Sequence, residues 1–229
     1  MLIVGLQKFS LLDYPGRVSC IVFTVGCNFG CGYCHNPELI RISKNSPFLD
    51  EEELLGFLVK RKGKLDAVVI TGGEPTLQKD LCDFIKKVKA MGFLVKLDTN
   101  GTNPDVLSLL LDEKLLDYIA MDIKGPLARY SEIVNKDVDV NKINESIQII
   151  MNSRVDHEFR TTIVKGQLKE EDFVAMSKLI SGAKRYFLQK FVPSKTHLAE
   201  FMKKEAYDRE TMNKFAKIMA ETVKYVAVR

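Results

Sequence analysis

The sequence has no apolar run approaching the roughly 18 residues of a membrane-crossing helix. Its first residues, Met1 to Lys8, carry neither a basic leader nor a long apolar segment. A membrane partner and a signal peptide are therefore not expected, and a cytoplasmic protein is. No cysteine follows Cys82, so a second metal cluster is not expected. The cysteine count is five, an odd number, which fits a reducing compartment and a metal site better than a disulfide framework. No basic run stands out, and the net charge of +4 is mild, so a nucleic-acid partner is not expected. No repeat, low-complexity segment or linker interrupts the chain. What remains is 229 residues, 46% hydrophobic and 28% charged. That is ordinary for a single α/β domain over 1–229, and large enough to stand without disulfides.

Three of the cysteines fall in one short stretch, Gly26-Cys27-Asn28-Phe29-Gly30-Cys31-Gly32-Tyr33-Cys34-His35-Asn36-Pro37. Glycines at 26, 30 and 32 would let this loop curl and bring three sulfurs to one spot. Thiolates suit zinc and iron–sulfur clusters. A closed zinc site needs four ligands, and His35 could be the fourth. The other solution is a cluster with one metal position open to a small molecule. Cys20, in a strand pattern, and Cys82, in a helical stretch, read as small buried hydrophobes.

Around this loop, strand and helix patterns alternate. Residues 1–16 read as an edge element closing in the turn Asp13-Tyr14-Pro15-Gly16. Strands are expected at 18–25, 66–71, 93–97, 118–123, 157–164 and 186–191, with a short one at 225–228. Helices are expected from a cap at Asp50, from Leu77 to about Gly92, from a cap at Asn103, and near 141–152, 170–181 and 209–222. Such alternation implies a parallel sheet with right-handed crossovers. The length is short of the roughly 250 residues of a complete eight-fold barrel. The expected fold is α/β: an open, partial barrel of about six βα units.

In such sheets, functional residues gather at the C-terminal ends of the strands. The polar motifs occur there. The cysteine loop follows the first of these strands, Gly72-Gly73-Glu74 the second, Asp98-Thr99-Asn100 the third, and Asp122 with Lys124 the fourth. They are therefore expected to face one opening. The turn at 13–16 is also expected beside the cysteine loop, where a partner could touch it.

The chain resembles the radical S-adenosylmethionine (SAM) enzymes, and more narrowly the activating enzymes of glycyl radical enzymes. Five features carry the resemblance: Cys27-x3-Cys31-x2-Cys34 followed by His35-Asn36-Pro37, Gly72-Gly73-Glu74-Pro75, Asp98-Thr99-Asn100-Gly101, Met121-Asp122-Ile123-Lys124, and Phe191-Val192-Pro193. It implies the partial (β/α)6 barrel of radical SAM type. It implies a [4Fe–4S] cluster on Cys27, Cys31 and Cys34, with SAM on the remaining iron. Tyr33 and His35 would flank the adenine. Backbone carbonyls of Gly72, Gly73 and Glu74 would receive the methionine amino group. Asp98 and Asp122 would bind that ammonium and Lys124 the carboxylate. Thr99 would join the aspartates around a monovalent cation. Arg160 would bind ribose or carboxylate, or form a structural ion pair, and Gln189 would line the site. One-electron reductive cleavage of SAM would yield a 5′-deoxyadenosyl radical, and a hydrogen atom would be taken from a glycine of a partner glycyl radical enzyme. The expected partner is an anaerobic ribonucleoside-triphosphate reductase, and the expected electron donor is of flavodoxin or ferredoxin type. A histidine that pyruvate formate-lyase activating enzyme carries near its last barrel strand is missing from Gln189-Lys190-Phe191-Val192-Pro193; His197 lies just beyond. His157 reads as structural.

Two other functions stay open at this level. One is a radical SAM enzyme acting on a small molecule, such as a 7-carboxy-7-deazaguanine synthase. The other is a zinc-stabilised binding module without catalysis.

Overall fold

In a computed structural model, eight strands form one sheet in the order of the sequence. The structure describes residues 1–41, 48–193 and 199–229. The strands are β1 (Ile3–Ser10), β2 (Ser19–Thr24), β3 (Ala67–Gly72), β4 (Leu94–Thr99), β5 (Tyr118–Asp122), β6 (Asp156–Ile163), β7 (Tyr186–Lys190) and β8 (Val226–Val228). β1 runs antiparallel to β2; every later pairing is parallel. The helices are α1 (Glu51–Lys60), α2 (Leu81–Ala90), α3 (Pro104–Asp112), α4 (Tyr130–Val134), α5 (Val140–Asn152), α6 (Glu170–Leu179), α7 (Ala199–Met202) and α8 (Arg209–Ala220). The six expected βα units correspond to β2 through β7, with β1 and β8 added at the edges.

The sheet curls strongly. Neighbouring strands lie about 4.8 Å apart, so a flat sheet would hold β2 and β5 some 14 Å apart. Yet the ring of Tyr14, just before β2, lies 5.6 Å from that of Tyr118 on β5. Among the described residues no pairing joins β1 to β8, and the barrel stays open there.

Strand alternation sorts the side chains onto two faces. Cys20, Val22, Val68, Ile70, Val95, Leu97, Ile119 and Met121 pack outward under the helices in the main core. The intervening Ile21, Ala67, Val69 and Tyr118 join Tyr14 in a smaller inner cluster. The helices dock by apolar stripes: Leu81, Phe84, Ile85 and Val88 are the buried side of α2, and Ile143, Ile147 and Ile150 are buried on α5.

Some local expectations change. α2 begins at Leu81, not Leu77. Pro75 opens a separate single turn, Pro75–Leu77, capped by the Glu74 carboxylate, and Leu77 is exposed. Asp50 caps α1 through Glu52 N at 2.9 Å, as expected. Asn103 does not cap α3 with its side chain; its Nδ2 donates to Thr76 Oγ1 at 2.8 Å and ties two loops together. The turn at 13–16 lies at the N-terminal end of β2, since Ser10 pairs with Ser19 while Ile3 pairs with Thr24. It is therefore at the opposite end of the strand from the cysteine loop. An antiparallel first strand forces that placement.

Candidate active site

The cysteine loop leaves β2 at Thr24 and is pinned at several points. Gly26 N and Cys27 N donate to Leu39 O (2.8 Å) and Ile40 O (3.1 Å), closing the loop on its own exit. Gly30 N donates to Val134 O of α4 at 2.9 Å. Phe29 packs edge-on against Tyr130, 6.1 Å between centroids. α4 was not expected from the sequence, and it is the element that holds the loop from the side. Of the loop's three glycines only Gly26 has a left-handed φ, +99°. Gly32 leaves room for the Phe201 ring instead: a Cβ there would lie 2.2 Å from it unless the ring shifted.

The Gly72-Gly73 turn crosses the root of this loop. Gly73 N donates to Thr24 O at 2.9 Å and Glu74 N to Gly26 O at 2.8 Å. A Cβ on Gly72 would meet Thr24 O at 2.3 Å, and one on Gly73 would meet Gly26 O at 2.1 Å. Only glycines permit two backbones to run this close. Glu74 then turns inward and is fully buried. Its carboxylate accepts from Thr76 N (3.0 Å), Thr76 Oγ1 (2.6 Å), Thr99 Oγ1 (2.8 Å) and Asn100 N (2.6 Å). Burial lifts its pKa above the ordinary carboxylate value, partly offset by those donors. Its side chain therefore braces the loops.

These loops surround a cavity of about 420 Å³, within the usual range for small-molecule sites. Cys27, Cys31, Cys34, Tyr33, His35, Gly72, Gly73, Glu74, Asp98, Thr99, Asp122, Lys124, Arg160 and Gln189 all line it. Every described residue singled out from the sequence as a ligand or cofactor contact is thus brought to one opening. His197 lies outside the described residues. His157 is buried on the far face of β6 against Phe159. Cys20 is in the core, and Cys82 sits half-buried on α2, away from the cavity.

Charged groups form a chain across the barrel mouth. Lys96 Nζ is 2.6 Å from Asp98 Oδ1. Arg160 bridges Asp98 Oδ2 at 3.2 Å and Asp122 Oδ1 at 2.9 Å. Lys124 Nζ is 3.0 Å from Asp122 Oδ2. Burial alone would raise the Asp122 pKa, but the charges of Arg160 and Lys124 hold it well below the ordinary carboxylate range. Burial would lower the Lys124 pKa, and Asp122 keeps it well above its usual value. Burial, and then the charge of Lys124, lowers the His35 pKa. Thr99 points its hydroxyl to Glu74, away from the two aspartates, because it alternates with Asp98 along β4.

Several contacts that frame the site escaped the sequence reading. Asn100 Nδ2 donates to Asn28 Oδ1 at 2.9 Å, and Asn28 Nδ2 to Thr102 Oγ1 at 2.8 Å, lacing the cysteine loop to the β4 loop. Arg229 stacks 3.3 Å over the Phe187 ring centroid and reaches Glu158 Oε1 at 3.4 Å. Lys96, buried at 2% exposure, was also missed. Its signal was present: it stands two positions before Asp98 in an alternating strand and so shares its face.

The donor set fits the expected cofactors. The three thiols are all free and line one wall. Among the described residues no three His, Cys, Asp or Glu side chains converge on one point as a single ion requires. A cluster takes each thiolate on a different iron and accepts the wider spacing. Burial pushes the Cys27 thiol up to about 11 and raises Cys31 and Cys34 as well, so forming thiolates here calls for a strong positive partner. The Tyr33 hydroxyl, also on this wall, is buried and has no hydrogen-bond partner within the protein. The cavity lining also carries both signs of charge, as an amino acid zwitterion requires.

Comparison with known proteins gives a consistent result. The model of the radical SAM superfamily matches residues 21–180. Over its full length the chain is 35% identical to the "Putative glycyl-radical enzyme activating enzyme" of Methanocaldococcus jannaschii, covering 95% of that protein. It is 34% identical to the pyruvate formate-lyase-activating enzyme of Clostridium pasteurianum over 52% of this chain and 51% of the relative. It is 28% identical to the 7-carboxy-7-deazaguanine synthase of Thermococcus kodakarensis over 83% of this chain and 82% of the relative. Among solved structures, Streptococcus suis SuiB bound to S-adenosylmethionine superposes with a TM-score of 0.68 at 13% identity, over 89% of this chain and 48% of SuiB. The chain spans about half of that protein, and the likeness is one of fold. With a family model over most of its length, a full-length relative and this site, the chain belongs to the radical SAM superfamily and, within it, to the glycyl-radical enzyme activating family.

Proposed function

We propose that the chain activates a glycyl radical enzyme, with an anaerobic ribonucleoside-triphosphate reductase as the partner. The observation that carries the reading is one cavity lined by three free thiols, with no fourth cysteine, together with paired charges. Cys27, Cys31 and Cys34 would hold a [4Fe–4S] cluster. Backbone carbonyls at Gly72 and Gly73 would accept the methionine ammonium. Lys124 has donors beyond the one given to Asp122, and these would hold the carboxylate. Tyr33 and His35 would flank the adenine, and Arg160 and Gln189 would bound the ribose side. When bound, the cluster and SAM supply a one-electron reductive cleavage that yields methionine and a 5′-deoxyadenosyl radical. The chain's own part is to orient the two and exclude water. The electron would come from a flavodoxin- or ferredoxin-type donor. The open side of the barrel, between β1 and β8, would admit a glycine-bearing loop of the partner. No described helix is long and apolar enough to cross a membrane; a cytoplasmic setting is part of the proposal.

The test is anaerobic reconstitution, then mixing with the reductase, SAM and a reductant. A glycyl radical signal in electron paramagnetic resonance and stoichiometric 5′-deoxyadenosine are the expected result. Cleavage of SAM without radical transfer to any glycyl radical enzyme would overturn the partner assignment. The long alignment with a 7-carboxy-7-deazaguanine synthase supports the second reading, a small-molecule substrate. In that case 5′-deoxyadenosine forms only when the small molecule is added.

A further inference from the structure

We propose that the Lys96 ammonium takes the place of a free monovalent cation, so that this chain binds SAM without potassium or sodium. The inference rests on the cofactor-binding reading above. The resemblance leads one to expect a mobile cation held by Asp98, Thr99 and Asp122, but the groups around them do not fit one. All four carboxylate oxygens already face a side-chain cation: Asp98 takes Lys96 at 2.6 Å and Arg160 at 3.2 Å, and Asp122 takes Arg160 at 2.9 Å and Lys124 at 3.0 Å. Two negative charges thus meet three fixed positive ones. A further cation would find no uncompensated carboxylate oxygen there to receive it. The Thr99 hydroxyl is turned to the far face of β4, where it donates to Glu74.

Lys96 is suited to the substitution. Its side chain is 2% exposed, and a lysine so deeply buried is normally kept only where its charge is paired. It rises on the inner face of β4, with its ammonium 5.9 Å over the Tyr118 ring and its carboxylate partner two residues on. That arrangement fixes a positive charge at Asp98 permanently, through a covalent tether instead of an ion drawn from solution. Lys96 is a positioning residue in this scheme: it neutralises and aims Asp98, and Asp98 in turn orients Arg160 at the mouth of the cavity.

The test measures SAM affinity by equilibrium dialysis on the full chain carrying its reconstituted cluster. The only cation in the buffer is potassium, sodium or the oversized tetramethylammonium. The dissociation constant of the unmodified chain should agree within about twofold in all three, since no bound ion contributes by mass action. Lys96→Met should bind about tenfold more weakly in tetramethylammonium and recover in potassium or sodium, the vacated position now accepting an ion. Lys96→Arg should remain indifferent to the salt. Thallium-205 resonance on the unmodified chain, which needs no variant, should detect no bound ion. An unmodified chain that needs potassium or sodium, a bound thallium signal, or a Lys96→Met chain blind to the cation would each overturn the proposal. A cluster-loaded chain that binds SAM in none of the buffers would overturn the cofactor reading instead, a pattern that neither cation outcome produces.

Discussion

The two ends of the barrel interior are built from the same strands and differ in almost every physical respect. At the N-terminal end Tyr14, Ile21, Ala67, Val69 and Tyr118 close the barrel with apolar contacts. At the C-terminal end Asp98, Arg160, Asp122 and Lys124 stand on the same inner face within a few residues. In β5, Tyr118 and Asp122 are four positions apart and look into the same space. The apolar end gains by removing surface from water, at about 25 cal/mol per Å². The charged end loses hydration, and mutual pairing does little more than offset the loss. A charged interior is therefore a poor way to hold a barrel together and a good way to hold a zwitterion. The difference teaches which end is kept for stability and which for binding.

The sharpest separation of the two ends comes from the thiols. Replacing Cys27, Cys31 or Cys34 by Ala should reduce iron from the roughly four atoms of a [4Fe–4S] cluster to background. SAM cleavage should vanish with it, while the apo chain keeps its circular dichroism and unfolding midpoint. Retention of iron by any of the three variants would contradict the ligand assignment.

Arg160→Met comes next. It leaves Asp98 and Asp122, both partly buried, with one cation each, which should cost roughly 1–3 kcal/mol of apo stability in urea unfolding. It should also weaken SAM binding by at least about tenfold, equal to ~1.4 kcal/mol. Tyr14→Ala, at the other end, removes a buried ring that packs at a tilt against Tyr118. It should cost a comparable ~3 kcal/mol and leave the SAM affinity of the cluster-loaded protein unchanged. Equal damage to binding from both variants would erase the distinction between the ends.

Much of this division was legible in the sequence, for physical reasons. The outward faces of β2 to β5 are unbroken apolar alternations that only a covered sheet explains. The polar motifs stand at strand ends, where parallel topology must gather them. The cysteine spacing and the Gly72-Gly73 pair report constraints local to a few residues, and local constraints survive in a linear reading. What escaped was non-local. The brace from Asn100 to Asn28 joins residues 72 positions apart. Arg229 reaches Glu158 across 71. α4 is a five-residue helix whose role depends on a contact with Gly30 far upstream. The turn at 13–16 was misplaced because the first strand runs against the others, and nothing within residues 1–16 fixes that direction.

Two acids, Asp122 and Glu74, sharpen the comparison within the charged end itself. Asp122 is held by cations, and its pKa is depressed. Its contribution is complete above the unfolded value near 3.9 and is lost only as pH falls through the lower folded value. Between pH 9 and 5 it should therefore leave apo stability flat. Glu74 has donors but no cation, and burial raises its pKa. Its contribution is complete below the unfolded value near 4.3 and is lost as pH rises through the raised folded value. The free energy of unfolding of the native chain should then decline relative to Glu74→Gln as pH rises out of the acid range. A difference between the two that stays constant across that range would show that the four hydrogen bonds fully offset the burial of the carboxylate.

The smallest effect should come from Cys82→Ala. Cys82 sits half-buried at the start of α2, and its sulfur lies 3.8 Å from Glu113 Oε2. α2 packs its apolar side on the outer face of the sheet, so the strands separate this thiol from the cavity that Cys27, Cys31 and Cys34 line. Burial, then Glu113, raises its pKa. Removing it deletes one partly covered sulfur, which should change urea stability by no more than about 1 kcal/mol. Iron content and cluster spectrum should equal those of the unmodified chain. Any loss of iron would mean that a cysteine on the helix side of the sheet reaches the cluster, which the alternation of inner and outer faces along β3 and β4 forbids.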